Sequence, residues 1–279
     1  MSSPQAPKLF DRALLAARQR RARALGPATF LLDRVAEEMA ERLHAVLREF
    51  PAAADIATPG DELRAVLRGR VGAMQPIALD ADERLPLAEG SIDLAVSALA
   101  LQFVNDLPGV LKQIRRALKP DGLLLAVMSG GDTLTELRQA FAAAESELDG
   151  GVSPRVAPAA DLRDLGALLQ RAGFALPVTD VDRIIVRYDN ALALMQDLRR
   201  MGAGNVLVER RRTPLRRATL LRMAEIYAER FADPDGRVRA TFELVWLSGW
   251  SPHESQQQPL KPGSAKASLA DAVKRMMPK

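Results

Sequence analysis

Residues 92 to 128, IDLAVSALALQFVNDLPGVLKQIRRALKPDGLLLAVM, constrain this chain more than any other stretch. Ile92 to Ala98 is a short apolar run rich in branched side chains, and Leu123 to Met128 is another; each suits a strand buried on both faces. The interval between them predicts a helix. Asp106 suits the N-cap, Pro108 falls in the first turn where a missing N–H costs nothing, and Val110, Leu111, Ile114 and Leu118 recur on one face. Lys119 faces the negative helix end, and Pro120-Asp121-Gly122 supplies a turn into the second run. Strand, helix and strand in this order make the crossover unit of a parallel sheet.

Composition removes several chemistries. The 279 residues contain no cysteine, which excludes disulfides, a thiolate nucleophile and Cys-ligated metal. His44 and His253 are too few for a His-based metal site, and His44, within EEMAERLHAVLREF, belongs on a helix surface. No metal is predicted. Lys and Arg number 39 against 35 Asp and Glu, a formal charge of +4, which favours acidic partners or anionic membrane surfaces without demanding nucleic acid. The basic run ERRRTPLRR lacks the interleaved aromatics of a single-strand nucleic-acid platform and reads as a solvated cap or a protein-docking surface. No apolar run reaches the length of a membrane span, so at most peripheral membrane contact is expected.

Beyond the central unit, the chain divides into an N-terminal helical cap (1–50), an α/β domain (51–250) with a helical insertion at about 205–232, and a tail (251–279). Helices are predicted over 11–25 and 30–50, the second with Leu31, Leu32, Val35, Met39, Leu43, Val46 and Leu47 on its apolar face. The basic first helix is either a lid or docking surface, or a solvated face with snorkelling arginines. A helix at 61–69 and a strand at 74–79 follow. Thr133 and Glu136 have the spacing of a capping box, Gly150-Gly151 ends that helix, and the loop to Pro158 is long enough to be a lid or partner loop. Asp161 caps a helix ending at Gly173, Val178–Tyr188 alternates as a strand, and Ala191–Arg200 is helical. Met201 to Asn205 is a glycine-containing turn too far from a strand end to be a phosphate loop. Thr213 to Phe231 predicts a helix before a last strand at Arg239–Trp250, with Trp246 and Trp250 at the sheet edge and its end.

The stretch LPLAEGSIDLAVSALALQFVNDLP followed by LKPDGLLLAVM resembles the fourth and fifth strands of class I S-adenosylmethionine (SAM) dependent methyltransferases. FDRALLAARQRRA, GGDTLTELR at 130–138, GGVSPRVAP at 150–158, LGALLQRAGF at 165–174 and HES at 253–255 resemble, in matching order, the NADH dehydrogenase (complex I) assembly factor 5 family. The resemblance implies an α/β fold: a Rossmann-like methyltransferase sheet with helices on both faces and an antiparallel last strand. It implies SAM as cofactor, and hydroxylation of an arginine on a complex I subunit, a protein partner. A more distant resemblance is to the malonyl-carrier-protein methyltransferases of biotin synthesis. Because the family-like FDR motif begins at Phe10, the Arg-rich stretch 18–23 is expected in the folded helix of a bacterial-type cytoplasmic protein, with the mitochondrial matrix as the alternative. HES and GSA recur in the family, which places part of the tail over the site or on the partner.

The cofactor segment departs from the family pattern. Asp55 would end the first strand, followed by acid-x-Gly-x-Gly-x-Gly; here Asp55, Ala57, Pro59 and Asp61 hold those places, with Gly60 out of phase. Glycines there supply positive φ and room for a ligand, whereas Pro59 fixes φ and Ala57 adds a methyl. Asp61 suits a helix cap but occupies the place of a ligand carboxylate. The interval from Asp55 to Asp80 holds only one helix and one strand, so one strand–helix unit is missing near the cofactor site. MQPIALDADERLP resembles the third strand, with Asp80-Ala81 as the adenine-contacting pair, yet Asp80 also lies where a ribose-binding acid falls in a dinucleotide fold. On the resemblance Asp55, Ala57, Gly60, Asp80 and Ala81 line the cofactor side, with Ser97, Leu99, Gln102 and Phe103 after the fourth strand; the catalytic residue is not identifiable. Three functions follow: a SAM-dependent enzyme acting on a protein arginine, a non-catalytic assembly scaffold that has lost SAM, and a small-acid or malonyl-carrier-protein methyltransferase.

Overall fold

Asp106 caps the helix that joins the two apolar runs, its carboxylate accepting from Gly109 N at 2.9 Å. The computed structural model describes residues 8–257, and the GSA segment lies outside them. Helices α1 (Arg12–Ala24) and α2 (Phe30–His44) precede strand β1 (Ala52–Ile56), helix α3 (Glu62–Leu67), strand β2 (Ala73–Ile77) and strand β3 (Ile92–Ala98). Helix α4 (Leu107–Ala117), strand β4 (Leu118–Ser129), helices α5 (Thr135–Leu148) and α6 (Leu162–Arg171) and strand β5 (Ala175–Tyr188) follow. Helices α7 (Ala191–Arg200) and α8 (Arg217–Phe231) lead to strand β6 (Val238–Trp250).

Alternation along β4 divides the core into two layers. Leu123, Leu125 and Val127 pack on one face with α2, α5, α7 and α8, including fully buried Val35, Met39, Met223 and Tyr227. Leu124, Ala126 and Met128 pack on the other with α4 and α6, among them Leu111, Ile114 and Leu169. Each such leucine removed from water contributes roughly 1.5–3 kcal/mol, so neither helical layer is dispensable.

The sheet has six strands in the order β2-β1-β3-β4-β6-β5. β2, β1, β3 and β4 run parallel, and β6 is antiparallel to both β4 and β5. β2 pairs directly with β1, Ala54 opposite Gln75, so the strand that the sequence reads as third occupies the place beside β1. No helix among the described residues is long and apolar enough to cross a membrane.

Several local expectations give way to tertiary contacts. Thr133 and Glu136 make no capping box: Leu134, at φ 56°, precedes α5, and both side chains serve β6 instead. Thr133 Oγ1 bonds Glu243, while Glu136 accepts from Thr241 N at 3.0 Å and Thr241 Oγ1 at 2.5 Å. Lys119 turns from the helix end to Asp93 at 3.0 Å, and β4 starts at Leu118, with Asp121 at φ 62° and a register shift opposite Ile92 and Leu94. α8 begins at Arg217 rather than Thr213, because Pro214 disfavours helical geometry in the residue before it. α2 stops at His44, leaving Leu47 exposed instead of in the core. Trp246 lies in β6, an interior strand, 2% exposed, with the Arg42 guanidinium 4.3 Å from its ring centroid, and not at the sheet edge. Met201 to Asn205, dismissed as a phosphate loop, follows α7 and packs against α1: Gly202, at φ +72°, brings its Cα against Gln19, where a Cβ would lie 3.1 Å from the Gln19 backbone.

The Glu136 clamp ties α5 to β6 through two donors that have no water to fall back on. Glu136→Ala is expected to destabilise the protein by about 2 to 3 kcal/mol, read from the midpoint of urea unfolding at unchanged slope.

Candidate functional site

The loop after β1 is fixed by bonds to its neighbours rather than by glycines. Ala57 adopts φ 58° and donates its N–H to Ile77 O at 2.8 Å, Thr58 Oγ1 accepts from Ala98 N at 2.9 Å, and Ser97 Oγ donates to Ile56 O at 2.8 Å. Arg64 closes the loop. Its guanidinium pairs with Asp55 and Asp61 and donates to Gly60 O at 2.9 Å, so Asp61 serves Arg64 and makes no side-chain cap to α3. Burial pushes the Asp55 carboxyl above its usual range, a rise opposed by Thr58 and Arg64. Gly60 has φ +77°, and Glu62 lies across it where a Cβ would overlap the carboxylate.

A cavity of about 690 Å³ opens at the C-terminal ends of β1, β3 and β4, the place where open α/β sheets carry their ligands. Its floor is Gly60, Glu62, Leu99, Gln102, Ser129 and Gly130, and its roof is α1 with the 201–205 turn. Leu99, at φ 52°, holds Val127 O through its N–H at 2.9 Å and accepts from Gln102 Nε2 at 2.8 Å. Gln102 Oε1 and Glu62 Oε2 are buried and have no hydrogen-bond partner among the described residues. Phe103 closes the cavity against Phe10, edge to face at 5.9 Å, in a small cluster with Leu15, Val206 and Leu207.

The nine sequence-derived residues therefore separate. Gly60, Leu99, Gln102 and Phe103 line the cavity. Asp55 and Ser97 are buried in the strands beneath it, and Ala57 turns the loop above them. Asp80 and Ala81 are exposed and do not line it; Asp80 Oδ1 accepts from Asp82 N at 2.9 Å and Arg84 N at 2.7 Å, stabilising its own turn. His253 is bonded to Ser255 at 2.7 Å, and neighbouring Gln256 donates to Asp121 Oδ1 at 2.8 Å. That contact lies at the opposite end of the sheet, so HES does not cover the cavity.

Residues 39–126 match the methyltransferase-domain family. A solved candidate methyltransferase from Bacillus halodurans superposes with a TM-score of 0.51 at 16% identity, covering 77% of this chain and 99% of its own, which establishes the shared fold. The mitochondrial arginine-hydroxylase NDUFAF5 of Danio rerio is 37% identical over 98% of this chain and 92% of its own length. The chain belongs to the NDUFAF5 arginine-hydroxylase family. A malonyl-[acyl-carrier protein] O-methyltransferase of Laribacter hongkongensis is 42% identical over a shorter stretch, 70% of this chain and 63% of its own.

For this NDUFAF5-family chain, residues absent from the sequence-based site do much of its construction. Glu83, buried at φ 60°, accepts from Asn105 N at 2.8 Å and Asp106 N at 2.7 Å. Asn105 then holds Phe10 through both its amide groups, at 2.8 and 3.2 Å, fixing α1 over the cavity. On another wall, buried Glu145 accepts from Ser153 N at 2.8 Å and Arg155 Nε at 2.9 Å, so the 150–158 loop presents Arg155 to Val156, Ala157 and Pro158 along the cavity. The lid reading of the first helix and the two glycines at 202 and 204 were the sequence signals for the roof contact.

Two measurements follow from these carboxylates. Arg64→Ala strands Asp55 in the core and is expected to cost about 3 kcal/mol, while Asp55→Asn combined with it restores more than half; urea unfolding of the cycle decides. Burial raises the Glu145 carboxyl, but the bonds from Ser153 and Arg155 outweigh it and hold it below its ordinary value. Its contribution is complete above the unfolded carboxylate value of about 4.3 and fades as pH falls through the lower folded value, so Glu145→Gln flattens the acid limb of stability against pH.

Proposed function

We propose that this chain acts in the assembly of NADH dehydrogenase (complex I) by hydroxylating an arginine on one of its protein subunits, a step that consumes dioxygen and a two-electron donor, places one oxygen on the arginine and releases the other as water. The observation that carries this is the 37% identity to an arginine-hydroxylase sustained over 98% of the chain, roof and insertion included. The cavity chemistry agrees. A guanidinium presents N–H donors and no acceptor, and Glu62 Oε2 and Gln102 Oε1 are buried acceptors without donors. Leu31, Leu32, Leu137 and Phe242 give the same cavity apolar walls for the arginine stem.

SAM fits this cavity at its methionine end only through the same two acceptors, Glu62 and Gln102, which would take its ammonium in place of the guanidinium. When bound it supplies a sulfonium and an activated methyl group. The adenosine end has less: Asp80 is committed to its own turn outside the cavity, and no acid from the end of β2 lines it. We assign the chain to a bacterial-type cytoplasm, with a complex I subunit as partner and at most peripheral membrane contact. A second function, an assembly scaffold without SAM, is favoured by one feature: Arg64 and Glu62 satisfy and cover the β1 loop from within the chain.

Mass analysis of complex I subunits from cells with and without the gene separates these. Hydroxylation predicts one arginine carrying an added oxygen that disappears with the gene, and micromolar binding of SAM in calorimetry supports the cofactor. Failed assembly with every arginine unchanged in mass, and no heat with SAM at millimolar concentration, would establish the scaffold instead.

A further inference from the structure

Charge rather than space limits what the cavity can hold. Its volume of about 690 Å³ is ample, but its ionised lining is one-sided. Asp61 is paired with Arg64 and Glu243 with Arg183 at 3.2 Å, while Arg155 is held by Glu145 and Arg200 by Asp197 at 3.5 Å. The lining that remains without an ion pair among the described residues is Arg18, Arg21, Arg23 and Arg199 against the single carboxylate of Glu62. Glu62 Oε2 is buried beside Gly60 and open to a donor. Gln102 Oε1, the other open acceptor on the floor, brings no charge. A second cation in this cavity therefore meets only arginines, in a partly desolvated space where like charges are poorly screened.

Given the arginine substrate proposed above, on which this rests, we propose that Glu62 is the single cation seat of the cavity, where the guanidinium of a substrate arginine and the ammonium of SAM exclude each other. An unpaired buried carboxylate costs free energy until a cation joins it, and either group satisfies it through charge-assisted bonds. The reaction has no need of both at once. Hydroxylation draws on dioxygen and a two-electron donor, and a methyl sulfonium supplies neither. SAM held at Glu62 is then a regulator of the site that keeps arginine out, and by linkage arginine displaces SAM to the same extent.

Calorimetry on the full chain uses two probes: N-acetylarginine N-methylamide, whose only charge is the guanidinium, and S-adenosylhomocysteine, which keeps the ammonium and has no methyl group to transfer. With S-adenosylhomocysteine at about ten times its own dissociation constant, the apparent dissociation constant of the arginine amide is expected to rise about elevenfold, and the reverse titration to show the same factor. Glu62→Gln keeps the shape and removes the charge; it is expected to weaken both probes about tenfold, while Glu254→Gln, exposed at the opposite end of the sheet, weakens neither. The exclusive seat is overturned if both probes bind and saturating S-adenosylhomocysteine leaves the affinity for the amide within about twofold. It is equally overturned if Glu62→Gln weakens only one probe or neither, or if S-adenosylhomocysteine does not bind. A parent chain that does not bind the amide loses the arginine substrate as well, whereas two probes bound together remove only the exclusion. The competition is read on the parent chain, so it decides even if Glu62→Gln fails to fold.

Discussion

β4 has no solvent face, and the rest of the architecture follows from that. Leu123, Leu125 and Val127 on one side and Leu124, Ala126 and Met128 on the other each require a cover of helices, so a single exposed layer is impossible. Once both faces are closed, ligands can approach only along the strand ends. The cavity lies at the C-terminal ends, where β1, β3 and β4 leave backbone groups and short loops rather than packed side chains.

At those ends the chain uses charge where the family pattern uses glycine. Arg64 gathers Asp55, Gly60 and Asp61 into one knot, and Thr58 and Ser97 pin it to β3. Ala57 tolerates its left-handed backbone because the neighbouring bonds to Ile77 and Ala98 over-determine the loop. The cavity floor is thereby held without the freedom that several glycines would bring. The roof is organised differently, through Glu83 and Asn105 on one side and the glycine turn after α7 on the other.

Much of the scaffold was legible in the sequence because its signals are local. The N-caps Asp106 and Asp161 act within three residues of themselves, and the two apolar runs are strands for reasons of composition alone. The site was legible only in part. Gly60, Leu99, Gln102 and Phe103 follow strand ends and could be placed by order along the chain, whereas Arg18 and Gly204 meet across 186 residues. The false capping box has the same origin: Thr133 and Glu136 are correctly spaced, but Thr241 and Glu243, far along the chain, offer better-buried partners. The alternation of Val178–Tyr188 identified β5, and β6 is antiparallel as the resemblance implied, while its place between β4 and β5 was not read from the sequence.

The position of β6 also sets the timing of folding. β5 meets the sheet only through β6, Val181 opposite Val245, while β6 itself meets β4, Leu124 opposite Gly249. Until residues 238–250 leave the ribosome, β4 has an open edge and β5 has nothing to pair with. Nascent chains therefore carry an open β4 edge from residue 129 onward and an unpaired β5 from residue 188 onward until β6 is made, a closure of long sequence separation. Truncation before Val238 leaves a chain that exposes both edges at once, with self-association through them as the consequence.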